Sequence, residues 1–125
     1  MKLEILGSGG FQSALVKLSG GESFVSESGA MYRASATVDV DVTTKSVGSG
    51  GLLAGVKRLI ARESFFMSTY RTTDGAPGEV GLAPVHQGEV RHVPLDGRTT
   101  WSCAGGSWLG SSSDLKLETR FQGLK

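Results

Sequence analysis

Gly21-Glu22-Ser23-Phe24-Val25-Ser26-Glu27-Ser28-Gly29-Ala30-Met31-Tyr32 is followed by Ser35 and the alternating run Asp39-Val40-Asp41-Val42-Thr43-Thr44-Lys45. About 76 residues later the chain reads Gly97-Arg98-Thr99-Thr100-Trp101-Ser102-Cys103-Ala104-Gly105-Gly106-Ser107-Trp108, then Ser111 and Asp114-Leu115-Lys116-Leu117-Glu118-Thr119-Arg120. Deleting one residue brings the two tails into register. Strict alternation inside a long-period repeat means one β-unit used twice. The sequence therefore predicts a mainly β fold, a sandwich or β-helical roll of short antiparallel strands.

Composition sets the bounds. A chain of 125 residues is one domain in length and can bury an ordinary core. Nineteen glycines among many serines and threonines imply frequent tight turns between short strands. With 13 basic and 12 acidic residues the net charge is +1. No basic excess draws the chain toward nucleic acid or an anionic membrane. Cys103 stands alone, so no intramolecular disulfide forms, which fits a reducing compartment. Met1-Lys2-Leu3-Glu4 has no apolar run behind it, and no stretch reaches the roughly 18 apolar residues of a membrane span. A cytoplasmic location is expected.

Along the chain, Leu3 and Ile5 alternate with polar residues before the turn Gly7-Ser8-Gly9-Gly10. Phe11 to Leu18 reads as a strand with Ala14, Val16 and Leu18 on one face. Phe24-Val25-Ser26 and Ala30 to Arg33 are short strands about a turn at Ser28-Gly29. Val38, Val40 and Val42 alternate with Asp39, Asp41 and Thr43, which predicts one buried and one wet face. After Gly48-Ser49-Gly50-Gly51, the helical spacing of Leu52, Leu53, Val56, Leu59 and Ile60 predicts one short helix at about residues 51–61. Phe65 to Thr72 reads as a strand. Val80 and Leu82, then Gly88 to Leu95, echo the first two strands. Trp101, Trp108-Leu109 and Leu115-Leu117 supply apolar positions for the remaining ones. The repeat thus predicts one full unit at about residues 1–77 and a partial second unit at about 78–125, with the chain truncated at its C-terminus.

Motifs with chemical potential are weak. Gly48-Ser49-Gly50-Gly51 precedes a helix carrying Lys57, yet a phosphate-binding loop needs Gly-Lys-Ser/Thr at a spacing this chain lacks. His86 and His92 have no spaced cysteine partners for a zinc site. Cys103 occupies the repeat position of Glu27, and a strand-end thiol is the plain reading against a nucleophile lacking a base. Asp39, Asp41 and Glu118 could serve as paired carboxylates, but they also describe the solvent side of half-buried strands. Phe65, Phe66 and Tyr70 with Arg71 could stack bases, though no RNA-binding motif surrounds them. An incomplete second unit would leave Phe65, Phe66, Trp101 or Trp108 bare and favour self-association. No catalytic, cofactor-binding or metal-ligating residue is assigned, and no cofactor is expected.

Met1-Lys2-Leu3-Glu4-Ile5-Leu6-Gly7, Gly21-Glu22-Ser23, Ser28-Gly29-Ala30-Met31, Lys57-Arg58-Leu59, Glu63-Ser64-Phe65-Phe66, Gly81-Leu82-Ala83-Pro84 and Phe121-Gln122-Gly123-Leu124-Lys125 occur in an order that resembles the altered-inheritance-of-mitochondria family. This is the mitochondrial biogenesis family with uncharacterised bacterial and archaeal members. The resemblance covers almost the whole chain. It implies an all-β fold like that of the tryptophan RNA-binding attenuation protein, no established enzymatic activity, and members that continue beyond the Phe-Gln-Gly-Leu-Lys segment. Ala61-Arg62 departs from the glycines the family tends to place there.

These readings together predict a non-catalytic β-rich interaction or scaffold module that forms homo-oligomers, with a protein partner of unassigned identity as the other expected occupant. The alternative is a nucleic-acid-binding module by fold analogy, drawing on Lys57, Arg58, Arg62 and Arg71; the neutral charge balance argues against it. Third comes a small-ligand binder or enzyme with a pocket between the repeats.

Overall fold

The computed structural model describes residues 1–43, 67–73 and 75–118. Among the described residues eight strands form two four-stranded antiparallel sheets. In chain order they are β1 (Lys2–Leu6), β2 (Ser13–Leu18), β3 (Ser23–Glu27), β4 (Met31–Ala34), β5 (Val38–Thr43), β6 (Met67–Thr72), β7 (Gly78–Leu82) and β8 (Gly110–Ser112). The first sheet runs β1-β2-β7-β4 and the second β5-β6-β3-β8. The expected mainly β fold of short antiparallel strands holds. The helix expected at about 51–61, the glycine run before it and the aromatic pair Phe65-Phe66 lie outside the described residues.

Period-two patterning sends one set of side chains from each sheet into a shared interior. Ala14, Val16 and Leu18 of β2 face inward, as expected, and meet Leu82, Val80 and Gly78 of β7 in register. Phe24 of β3, Tyr70 of β6 and Val38 of β5 come from the other sheet into the same cluster. Leu3 and Ile5 pack at its margin from edge strand β1. The four central strands are therefore the most buried, and the edges carry the exposed positions.

Turn chemistry matches the predicted breaks. Gly29 adopts φ +87° between β3 and β4, a left-handed conformation that side chains with a Cβ resist. The β2–β3 turn is tied to the end of β6: the Gly21 N–H donates to Thr72 Oγ1, which donates to the Ser19 carbonyl. Thr37 Oγ1 donates to the Pro77 carbonyl, joining the start of β5 to the start of β7.

Three expectations are overturned. Gly88 to Leu95 forms no strand; it runs as an irregular segment attached to the β1–β2 loop. The Gln12 N–H donates to the Gly88 carbonyl, and the Val90 N–H donates to Gln12 Oε1. In the stretch from Trp101 to Leu117 only Gly110–Ser112 is a strand, paired with β3. Finally, Val38, Val40 and Val42 do not share one buried face. Val38 is buried, but Val40 is 40% and Val42 60% exposed. The reason is position. Among the described strands β5 lies at a sheet edge, and Gly78 of β7 approaches Val38 so closely that a Cβ there would lie 2.6 Å from Val38 Cγ2. The two later valines extend along the sheet margin without such cover.

Candidate functional site

The residues singled out for chemistry do not converge. His86, His92 and Cys103 are all exposed. Cys103 lies in an irregular stretch rather than at a strand end. Among the described residues no group of three His, Cys, Asp or Glu side chains could hold a metal ion. Tyr70, a candidate for base stacking, has no exposed surface, and its hydroxyl shares a 2.8 Å hydrogen bond with Ser26 Oγ. Arg71 is exposed on β6, but the register places it opposite Asp39. Lys57, Arg58 and Arg62 lie outside the described residues. Glu118 sits on no strand and pairs with Lys116 at 3.0 Å, so the acidic strip reduces to Asp39 and Asp41 on β5.

Two open clefts flank the first sheet. One, of about 540 Å³, is lined by Lys2, Lys17, Ser19, Ser35 and Glu79 among others. The Lys17 ammonium is raised above its ordinary pKa by its hydrogen bond to Glu4, 2.9 Å away, and by the charges of Glu4 and Glu79. Its charge is already matched by these carboxylates. The other, of about 430 Å³, lies between Ile5 and the Gln12–Val90 junction, with Arg91 and His92 at its rim. Arg91 is engaged by Glu89 at 3.1 Å. Neither cleft brings together a nucleophile, a base and an orienting group.

What the surface does offer is uncovered apolar area. Val93 and Leu95 are each 40% exposed, and Trp101 58%, along a segment whose residues from 91 to 107 are all exposed. The second such place is β5. Antiparallel pairing aims the backbone groups of alternate residues toward and away from the neighbouring strand. The Thr73 N–H donates to the Thr37 carbonyl at 2.8 Å, and this fixes the phase of the β5–β6 ladder. Asp39 and Asp41 thus exchange bonds with β6, while Val38, Val40 and Val42 aim theirs outward. Val38 spends its N–H on the Ser35 carbonyl. Among the described residues those of Val40 and Val42 have no partner, with the side chains of Asp39 and Asp41 on one face and their own on the other. Sequence reading missed this feature. Alternating valine and aspartate describes an edge strand and an interior one equally well.

Elsewhere, exposed carboxylates are held by local donors. Glu22 is pushed below the ordinary carboxylate range by the N-terminal ammonium of Met1 and by the Ser19 N–H. Asp96 is lowered by the backbone N–H groups of Arg98 and Thr99 and by the Thr99 hydroxyl. Among the described residues no helix is long and apolar enough to cross a membrane.

A family model described as mitochondrial biogenesis AIM24 matches residues 3–125. A crystal structure of a protein from Streptococcus pyogenes is similar to this chain with a TM-score of 0.48 and 24% identity, covering 69% of this chain and 38% of that one. The chain thus spans well under half the length of that structure. No curated protein matches it.

Proposed function

The chain belongs to the mitochondrial biogenesis AIM24 family, and from that premise we propose that it is a non-catalytic β-rich interaction module that associates with copies of itself. The observation that carries this reading is the exposure of Val93, Leu95 and Trp101 along a segment held by no sheet ladder. Exposed apolar side chains are stabilised by leaving water, by about 25 cal/mol for each Å² covered. A second copy of the same segment is the simplest cover, because a twofold interface buries the same patch on both sides. The scattering of His86, His92 and Cys103 over the surface favours this reading over one that needs a reacting centre.

Sedimentation velocity over a wide concentration range tests it. The expected result is a reversible oligomer that Val93→Lys with Leu95→Lys converts to a monomer, with circular dichroism unchanged. A monomer at every concentration overturns the proposal.

A further inference from the structure

From the geometry of β5 we infer that its open edge is a docking site for an extended peptide segment that alternates basic and apolar residues. The inference rests on the reading of the chain as an interaction module, but concerns a different segment and a different partner.

Val40 and Val42 present backbone N–H and C=O groups outward, and among the described residues none of these groups has a partner. A row of unpaired backbone groups is a template for one more strand. The side chains on either side of that row decide which strand. Val40 and Val42, at 40% and 60% exposure, call for apolar residues on the interior-facing side. Asp39 and Asp41 call for cations on the other.

Their cross-strand neighbours differ in charge. Asp39 lies opposite Arg71 in register. Asp41 lies opposite Thr69, whose hydroxyl is buried and makes no hydrogen bond. The carboxylate of Asp41 thus has no cation across the ladder, and a lysine or arginine of the incoming strand would supply it.

The same pattern excludes β5 of a second copy. Twofold antiparallel pairing sets residues of one parity opposite their own kind, so Asp39 and Asp41 would face Asp39 and Asp41. Like charges directly opposite destabilise a ladder. Aspartates on an exposed edge commonly serve to block self-pairing. Here they block it while leaving the edge open to a strand of opposite charge.

The test uses the full chain and a labelled synthetic peptide of alternating lysine and valine, roughly seven residues long to match a strand. Fluorescence anisotropy reads binding, and amide hydrogen exchange reads its place. The expected result is saturable binding with new protection at Val40 and Val42. Asp41→Asn should weaken it about fivefold, as for loss of one exposed ion pair, and more than Asp39→Asn does. Asp39→Lys with Asp41→Lys should transfer preference to an aspartate–valine peptide. Absence of binding, equal binding of both peptides by the unaltered chain, or protection outside β5 overturns the inference. So does concentration-dependent protection of β5 without peptide, which would mean the edge pairs with its own copy. Sedimentation reads self-association through Val93 and Leu95 separately, so failure of one proposal is distinct from failure of the other.

Discussion

Ser26 of β3 and Tyr70 of β6 have no exposed surface, and their hydroxyls meet at 2.8 Å inside the sandwich. Ser26 Oγ donates at 2.9 Å to the Glu27 carbonyl, so the proton between the two hydroxyls comes from Tyr70. The two ends of this bond are therefore unequal. Tyr70→Phe removes one donor and leaves Ser26 still bonded, at a cost of about 1 kcal/mol. Ser26→Ala strands the phenolic hydroxyl in an apolar interior, at about 1–3 kcal/mol. Urea unfolding should rank Ser26→Ala as the more damaging, and the double variant should lose less than the two single losses added. The reverse ranking would show that Tyr70 is bonded elsewhere.

Tyr32 occupies the space above Gly81. A Cβ on Gly81 would lie 2.5 Å from Tyr32 Cζ and 2.9 Å from both Cε atoms. Gly81 also pairs in register with Leu15, which is buried although it points away from the central cluster. Gly81→Ala forces the tyrosine ring aside and should destabilise the domain by about 1–3 kcal/mol. In a Tyr32→Ala background the same substitution should cost almost nothing, because alanine suits a strand better than glycine. Thermal unfolding of the four proteins checks this. A cost that persists without the ring points to strained backbone instead.

Two exposed carboxylates give stability an acid limb. Glu22 and Asp96 have lowered pKa values in the folded chain, through the Met1 ammonium with Ser19 N–H and through the Arg98 and Thr99 N–H groups respectively. A carboxyl group depressed on folding contributes stability that is complete above its unfolded pKa of about 4 and fades as pH falls through its folded value. At neutral pH, Glu22→Gln should be less stable than the unaltered chain. Below about pH 4 the gap should shrink. Denaturant titrations at pH 7 and in acid measure it; a gap that stays constant with pH would rule out this linkage.

Cys103 is an exposed thiol in an irregular stretch. It should react stoichiometrically with an aromatic disulfide in the folded chain, with no unfolding beforehand. Cys103→Ser should change the unfolding free energy by less than about 0.5 kcal/mol, as for other surface changes. Labelling that waits on denaturant would place the thiol under cover.

Much of the fold is legible in the residues themselves. Ala14, Val16 and Leu18 alternate because β2 has one face in the interior, and a one-residue slip would turn that face outward. Ser28-Gly29 marks a turn because a left-handed backbone favours glycine. Gly88 to Leu95 shows the limit of such reading. Its residues repeat the character of β2, yet they form no strand, since a strand exists only where another offers its backbone.

The order of residues thus determined that this chain is β-rich, where most of its strands begin and end, and which face of β2 is apolar. Tertiary structure alone decided which strands are edges. Val38, Val40 and Val42 are identical in sequence character, and all three alternate with polar neighbours. Only the approach of Gly78 to Val38, 40 residues along the chain, buries the first and leaves the other two at an open margin. Pairing order is set by contacts distant in sequence, and a period of two does not encode them.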